Sequence, residues 1–219
     1  MFRDYHSAET GGFLLEEGAG SVDAVLLYVR NQLNTFPRYY MAQMRPQLEN
    51  RITDLLVGHL MTHCTGFEPY FFSKNPTQEA GNRESDIGVF LKDDKMNPFL
   101  PILEIEAKRF SVSANNHEYV YGENGGIERF KRKLHSPHLF RCSMVGYVLD
   151  KTPSYWLEEV NRWISHLATV PLSDLDWTAP TELLTRFSTS DKLVCATSEN
   201  KRIDGSFITM SHFFVHLNG

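Results

Sequence analysis

The densest chemistry in this 219-residue chain lies in one short run, Leu103-Glu104-Ile105-Glu106-Ala107-Lys108. Apolar and charged residues alternate through it, and successive side chains of a strand point to opposite faces. Leu103, Ile105 and Ala107 therefore face a core, while Glu104, Glu106 and Lys108 share the other face. Two carboxylates beside an ammonium suit two environments. One is a solvated, salt-bridged sheet face. The other is a site for a hard divalent cation, with a lysine next to the carboxylate ligands. Two more acids bear on the choice. Glu49 falls inside the apolar stripe Leu48, Ile52, Leu55, Leu56 and Leu60 of an expected helix, where an acid has to be paired or bound to a cation. Asp86 stands at the start of the preceding strand. A short connection makes that strand and the 99–110 strand an antiparallel pair, which carries Asp86 beside the acidic face.

The elements that must position these groups follow from hydrophobic spacing. Ser21 can cap a helix over about 22–34, in which Val22, Val25, Leu26, Val29 and Leu33 recur, and Pro37 closes that segment. A second helix is expected from near Pro46 to about Thr62. Strands are expected at 67–72, 84–91 and 99–110, the last two joined by the turn Lys92-Asp93-Asp94-Lys95. Gly125-Gly126 lead into a helix over about 126–136, which carries Arg129, Lys131, Arg132 and Lys133. This basic cluster reads either as a solvated helix face or as a face for phosphates. A buried strand at 143–149 and a helix from Thr152-Pro153 to about Leu167 follow. Leu183-Leu184 is expected to begin a short helix, and 193–197 with 206–217 form a final strand pair. Residues 1–20, polar and punctuated by glycine, read as a loosely packed arm. The expected organisation is an N-terminal arm and helix over 1–45, then one compact domain over 46–219.

Composition narrows the function classes. With 42% hydrophobic and 22% charged residues the chain has the make-up of a soluble globular protein. No apolar run approaches the ~20 residues of a membrane span, and the first residues hold no apolar signal core. Cys64, Cys142 and Cys195 are odd in number and far apart, which argues for a cytoplasmic protein without a structural zinc site. His59 and His63 have the i, i+4 spacing of metal ligands but no glutamate beside His59. The net charge of −5 means that any contact with nucleic acid is local.

Asp86 and, about twenty positions later, Glu106-Ala107-Lys108 resemble the signature of the PD-(D/E)XK nuclease superfamily. The acid-bearing helix before the motif and the glycine-led basic helix after it also resemble that family. The resemblance implies an α/β, restriction-endonuclease-like αβββαβ core over about 46–150. It has a mixed central sheet flanked by helices, with an N-terminal helical addition and a C-terminal strand pair. It implies a nuclease that hydrolyses DNA phosphodiester bonds, RNA being a further substrate class, with Mg²⁺ or Mn²⁺ as cofactor. Asp86, Glu106 and the Ala107 carbonyl would hold the metal, and Lys108 would act on the water or on the phosphorane. Glu49 would serve a second cation or a metal-bound water, with Glu104 as a reserve ligand. Arg109, Arg129, Lys131, Arg132 and Lys133 would position the nucleic-acid backbone. Ser85 stands where the family usually has proline, and a Q-x-x-x-Y helix motif is absent, with Glu128 and Arg129 in that region. The stretches GGIERF and MVGYV resemble small stand-alone bacterial nucleases of mobile-element or antiviral-defence systems. A protein partner or homo-oligomer is the corresponding expectation. Two other classes fit the residues: a non-catalytic scaffold that retains the fold, and an unrelated α/β enzyme or ligand-binding domain whose charged strand is solvated.

Overall fold

The alternating run does form a strand, and a seven-stranded mixed sheet is assembled around it. A computed structural model describes residues 7–64, 66, 68–76, 85–93, 95, 99–122, 124–170 and 174–218, with the side chains of the first helix described from residue 22 onward. The elements are α1 (Ser7–Met41), α2 (Glu49–His63), β1 (Tyr70–Lys74), β2 (Ile87–Leu91), β3 (Leu103–Phe110), a 3-10 turn (Asn116–Tyr119), α3 (Gly126–Lys131), β4 (Arg141–Val148), α4 (Pro153–Thr169), β5 (Thr185–Thr189), β6 (Leu193–Lys201) and β7 (Phe207–His216). The strand order is β1-β2-β3-β4-β7-β6-β5. β3–β4 and β4–β7 are parallel, and the other pairs are antiparallel. The final strands thus extend the central sheet through β7 rather than stand apart from it.

Each face of the sheet carries its own apolar layer. Leu103, Ile105, Ala107, Val145 and Tyr147 pack against Val25, Val29, Leu33 and Phe36 of α1 and Ile52, Leu56 and Leu60 of α2. On the opposite face Phe110, Met144 and Phe214 meet Ile127 and Phe130 of α3 and Trp156, Val160 and Ile164 of α4. Helix α4 starts as its sequence demands: Thr152 accepts the Tyr155 N–H at 3.2 Å and Pro153 occupies the first turn.

Several expected boundaries move. The backbone is already helical from Ser7, where a loose arm is expected, and α1 runs through Pro37 to Met41. Phe36 and Tyr40 are fully buried beyond or beside that proline, so core packing outweighs a backbone penalty of about 3 kcal/mol. α2 begins at Glu49, three residues after Pro46. α3 stops at Lys131, because Lys133 and Ser136 take left-handed φ values of 59° and 49° and turn the chain toward β4. Leu183-Leu184 leads into β5, an edge strand whose register shifts between Arg186 and Ser188. Such a bulge blunts an open edge against pairing with other chains. Among the described residues no helix is long and apolar enough to cross a membrane.

Candidate active site

β2 ends one residue short of Asp86, and this ending creates the site. Ile87 pairs with Ile105, so the next position of the β3 edge, Ala107, has no strand beside it. Its N–H is taken by the carboxylate of Asp86, with Oδ2 at 2.7 Å. Two residues further, the Arg109 N–H donates to Glu49 Oε2, also at 2.7 Å. Two acids from separate elements therefore cap the uncovered edge of one strand. In a strand a residue's N–H and C=O leave on the same side, so the Ala107 carbonyl opens toward this edge as well.

The alternating side chains complete the group. Lys108 Nζ donates to Glu106 Oε1 at 2.8 Å and lies 3.7 Å from Glu49 Oε1. Arg129 of α3 approaches the same Glu106 oxygen at 3.4 Å and is steadied by Asn124, whose Oδ1 accepts from Nη2 at 2.9 Å. Glu106 Oε2 is buried and has no hydrogen-bond partner among the described residues, with His135 Nε2 3.6 Å away. α2 is fixed over the strand by Thr53, whose hydroxyl lies 3.1 Å from Tyr147 Oη of β4, and by Arg109, which donates to the Gln47 carbonyl at 2.8 Å. Behind the site, Gly125 and Gly126 allow α3 to start hard against its neighbours. A Cβ at Gly125 would sit 2.5 Å from the Tyr121 backbone, and one at Gly126 would sit 2.3 Å from Met144.

Burial, more than like charge, raises the carboxyls of Asp86 and Glu49. Burial, then the Glu106 charge, pushes the Asp86 carboxyl up to about 7, against the lowering effects of Lys108 and the Ala107 N–H. Burial also raises Glu49, while Lys108 and the Arg109 N–H partly offset it. Burial alone would lower Lys108, but Glu106, Glu49 and Asp86 outweigh it, so the amine is held as an ammonium.

The remaining expected residues are engaged in other contacts. Glu104 is fully buried and accepts both the Ser136 N–H and the Ser136 hydroxyl, at 2.9 and 2.8 Å, so it closes the turn after α3 and is not a spare ligand. The basic cluster of α3 does not form a free cationic face. Lys131 is 0% exposed, paired with buried Glu182 and 4.5 Å from the Trp177 ring centre. Arg132 bonds Glu128 and Asp174, and Lys133 bonds Asp204. Lys131 therefore has no surface to offer a phosphate, and its neighbours are already neutralised. His59 and His63 stack on each other at 4.3 Å between ring centres, and the His59 ring bonds Thr35.

A cleft of about 710 Å³ opens directly from Lys108 and Arg109. One wall is the start of α2, with Glu49, Asn50, Arg51 and Asp54; the other is Ala114, Asn115 and Asn116 ahead of Tyr119. Nothing along the chain marks this second wall, since 111–118 reads as an ordinary polar loop. Its rigidity comes from pairings visible only in space: Asn116 accepts from the Ser111 N–H at 3.0 Å and donates to the Ser111 carbonyl at 2.8 Å.

A hard divalent cation fits what is present. Glu106 offers an unpartnered buried oxygen, Asp86 makes no ion pair among the described residues, and the donor set is carboxylate and carbonyl oxygen. Among the described residues no three His, Cys, Asp or Glu side chains meet as a ready-made metal cluster; Glu49 and Glu106 converge on Lys108 instead. No protein-family model, curated protein or solved structure matches the chain.

Proposed function

We propose that this chain is a divalent-metal-dependent phosphodiester hydrolase acting on nucleic acid, DNA first, built on a restriction-endonuclease-like core. The element order α2-β1-β2-β3-α3-β4 supports that fold reading. The observation that carries the function is the surplus of acid at the open end of β3. Among the described residues Glu49 and Glu106 pair only with Lys108, Arg129 and, where it is protonated, His135; Asp86 makes no ion pair, and burial together with the Glu106 charge holds its proton up to about pH 7. Such a site gains most from a hard dication, and the proton on Asp86 is what the dication replaces.

Asp86, Glu106 and the Ala107 carbonyl are the groups that would hold Mg²⁺ or Mn²⁺. Bound there, the metal would supply Lewis-acid activation of a phosphodiester and a lowered pKa for water. Lys108, an ammonium at the floor of the cleft, is placed to donate to a phosphoryl oxygen and to neutralise charge that grows on it. Glu49 fixes the Arg109 backbone with one oxygen and faces Lys108 with the other, which sets the height of the ammonium above the strand. Arg129 holds Glu106 from behind and is a positioning residue.

The test is cleavage of plasmid, linear and single-stranded DNA and of RNA with Mg²⁺, Mn²⁺ or EDTA, beside the Lys108→Ala variant. Metal-dependent cutting that the variant loses is expected. Metal binding by the wild type without any cutting would leave a metal-binding scaffold and remove the hydrolase.

A further inference from the structure

Resting on the hydrolase reading, we infer that the substrate is an unpaired nucleic-acid strand. It lies in the cleft between α2 and the 111–116 loop, held by Arg51, Lys74 and Arg109 and not by the basic side of α3.

Charge favours the cleft over α3. The four cations of α3 and the turn after it, Arg129, Lys131, Arg132 and Lys133, meet five acids, Glu106, Glu182, Glu128, Asp174 and Asp204. In the cleft, Arg51 and Lys74 share a single acid, Asp54, and Arg109 spends its guanidinium on a carbonyl. Arg51 remains 72% exposed at the side chain, so its pairing with Asp54 is weak and exchangeable. Asn50 and Asn115 add uncharged polar groups along the same walls.

Shape favours a flexible strand over a duplex. Lys108, 11% exposed at the side chain, lines the cleft beside Glu49, and Glu106, 2% exposed, lies behind it in contact with the Lys108 ammonium, so the one reacting group that opens to the cleft is recessed. The recess holds about 710 Å³, the size of a pocket that encloses a small molecule or a nucleotide or two. Duplex DNA is stiff over about 150 base pairs and presents its phosphates on a convex surface, so it cannot bend one phosphate into such a floor cheaply. A single strand can turn a phosphodiester inward at little cost. The walls are set before binding, because Asn116 ties the loop into a ring and Glu49 and Gln47 tie α2 to Arg109. Tyr119, the one aromatic residue lining the cleft among the described residues, is fully buried, so bases find no open stacking platform and recognition runs through the backbone.

The experiment is fluorescence anisotropy of the full chain with a labelled short oligothymidylate and with a duplex of the same length, in Ca²⁺, across a salt series. Four proteins are compared: wild type, Arg51→Ala/Lys74→Ala, Asp54→Asn and Arg132→Ala/Lys133→Ala. The strand is expected to bind more tightly than the duplex. Arg51→Ala/Lys74→Ala is expected to weaken it about tenfold and to flatten the salt dependence, each lost phosphate contact reducing the slope by about 0.7. Asp54→Asn frees both cleft cations and is expected to tighten binding several-fold, a gain that misfolding cannot mimic. Arg132→Ala/Lys133→Ala is expected to bind as wild type. Equal or tighter duplex binding, no strand binding by the wild type, or losses confined to the α3 pair would overturn the inference. Metal-dependent cutting is followed on the same proteins. Cutting that persists while the cleft variants bind normally removes only the strand site. Binding as expected without cutting removes only the hydrolase.

Discussion

Asp86 occupies, with a side chain, the hydrogen-bonding position that a longer β2 would fill with backbone, accepting the Ala107 N–H at 2.7 Å. The same carboxylate is held up to about pH 7 by burial and by Glu106. Its folded value lies above its unfolded one, so the native state binds the extra proton between about pH 4 and 7. Stability contributed by this group is therefore present at low pH and falls as pH rises through 7. Asp86→Asn keeps an oxygen for the Ala107 N–H and removes the titration. The variant should be more stable than wild type at pH 8, by about 2–4 kcal/mol, and the difference should vanish near pH 4. Mg²⁺ should raise the melting temperature of wild type at pH 8 and leave the variant unmoved. Melting curves at both pH values, with and without Mg²⁺, check this; a Mg²⁺ effect of equal size in both proteins would remove Asp86 from the metal site.

Lys108 joins Glu106 on its own strand to Glu49 on α2. Replacing it by methionine leaves Glu106, 2% exposed, with the 3.4 Å contact to Arg129 and the 3.6 Å contact to His135 among the described residues. Breaking one side of a buried pair costs about 3–5 kcal/mol. Lys108→Met should therefore be destabilised by several kcal/mol in EDTA and regain part of that in Mg²⁺, while losing phosphodiester cleavage at least about 100-fold. Urea unfolding in EDTA and in Mg²⁺ reads the first effect. Equal destabilisation in both media would make the lysine a structural partner of Glu106 alone.

Lys131 and Glu182 form an ion pair with both side chains inside the protein, and Glu182 also accepts the N–H groups of Lys201 and Thr178 at 2.9 and 3.2 Å. The pair ties α3 to the segment before β5. Lys131→Met should cost about 3–5 kcal/mol of stability, because it strands a buried carboxylate. Lys131→Met/Glu182→Gln should recover part of that loss. Affinity for nucleic acid, measured well below the melting temperature, should stay within a factor of two of wild type. A tenfold loss of affinity in a folded Lys131→Met protein would return this lysine to the phosphate-binding surface.

The strand carrying Glu106 and Lys108 is legible because period-two alternation is strict from Leu103 to Lys108, and burial of Leu103, Ile105 and Ala107 follows from it. Glu49 is legible because an acid inside an apolar stripe is costly, and its pairing with the Arg109 N–H and Lys108 offsets that cost. The fates of Glu104 and Lys131 are not legible. Each sits in a pattern that alternation or charge density describes well, but what each touches, Ser136 and Glu182, lies 32 and 51 residues away in sequence. The second wall of the cleft is hidden differently: the pairing of Asn116 with Ser111 spans only five residues, but it follows no periodic pattern along the polar loop. Pro37 misleads in a different way: local backbone chemistry ends a helix there, and the burial of Phe36 and Tyr40 overrides it.

His212 of β7 links Tyr119, at the wall of the cleft, to Ser198 of β6 on the same face of the sheet. Its Nδ1 lies 2.9 Å from Tyr119 Oη and its Nε2 2.9 Å from Ser198 Oγ, with no exposure to solvent. Burial lowers its pKa to about 3, so the ring is neutral in the folded protein and protonates in the unfolded chain below about 6.5. The unfolded state then binds more protons between about pH 3 and 6.5, and the stability contributed by this residue is lost as pH falls through that window. At pH 5 the loss relative to pH 7 should be about 2 kcal/mol. Asp86 acts with the opposite sign over an overlapping range, so the wild-type profile shows only their difference. His212→Gln separates them: it should be less stable than wild type at pH 7, with that deficit shrinking by about 2 kcal/mol at pH 5 as the histidine proton linkage disappears. Urea unfolding of both proteins at the two pH values measures the gap directly. A gap that does not change with pH would mean that His212 keeps an ordinary pKa, and that the bond to Tyr119 is not made by a neutral ring.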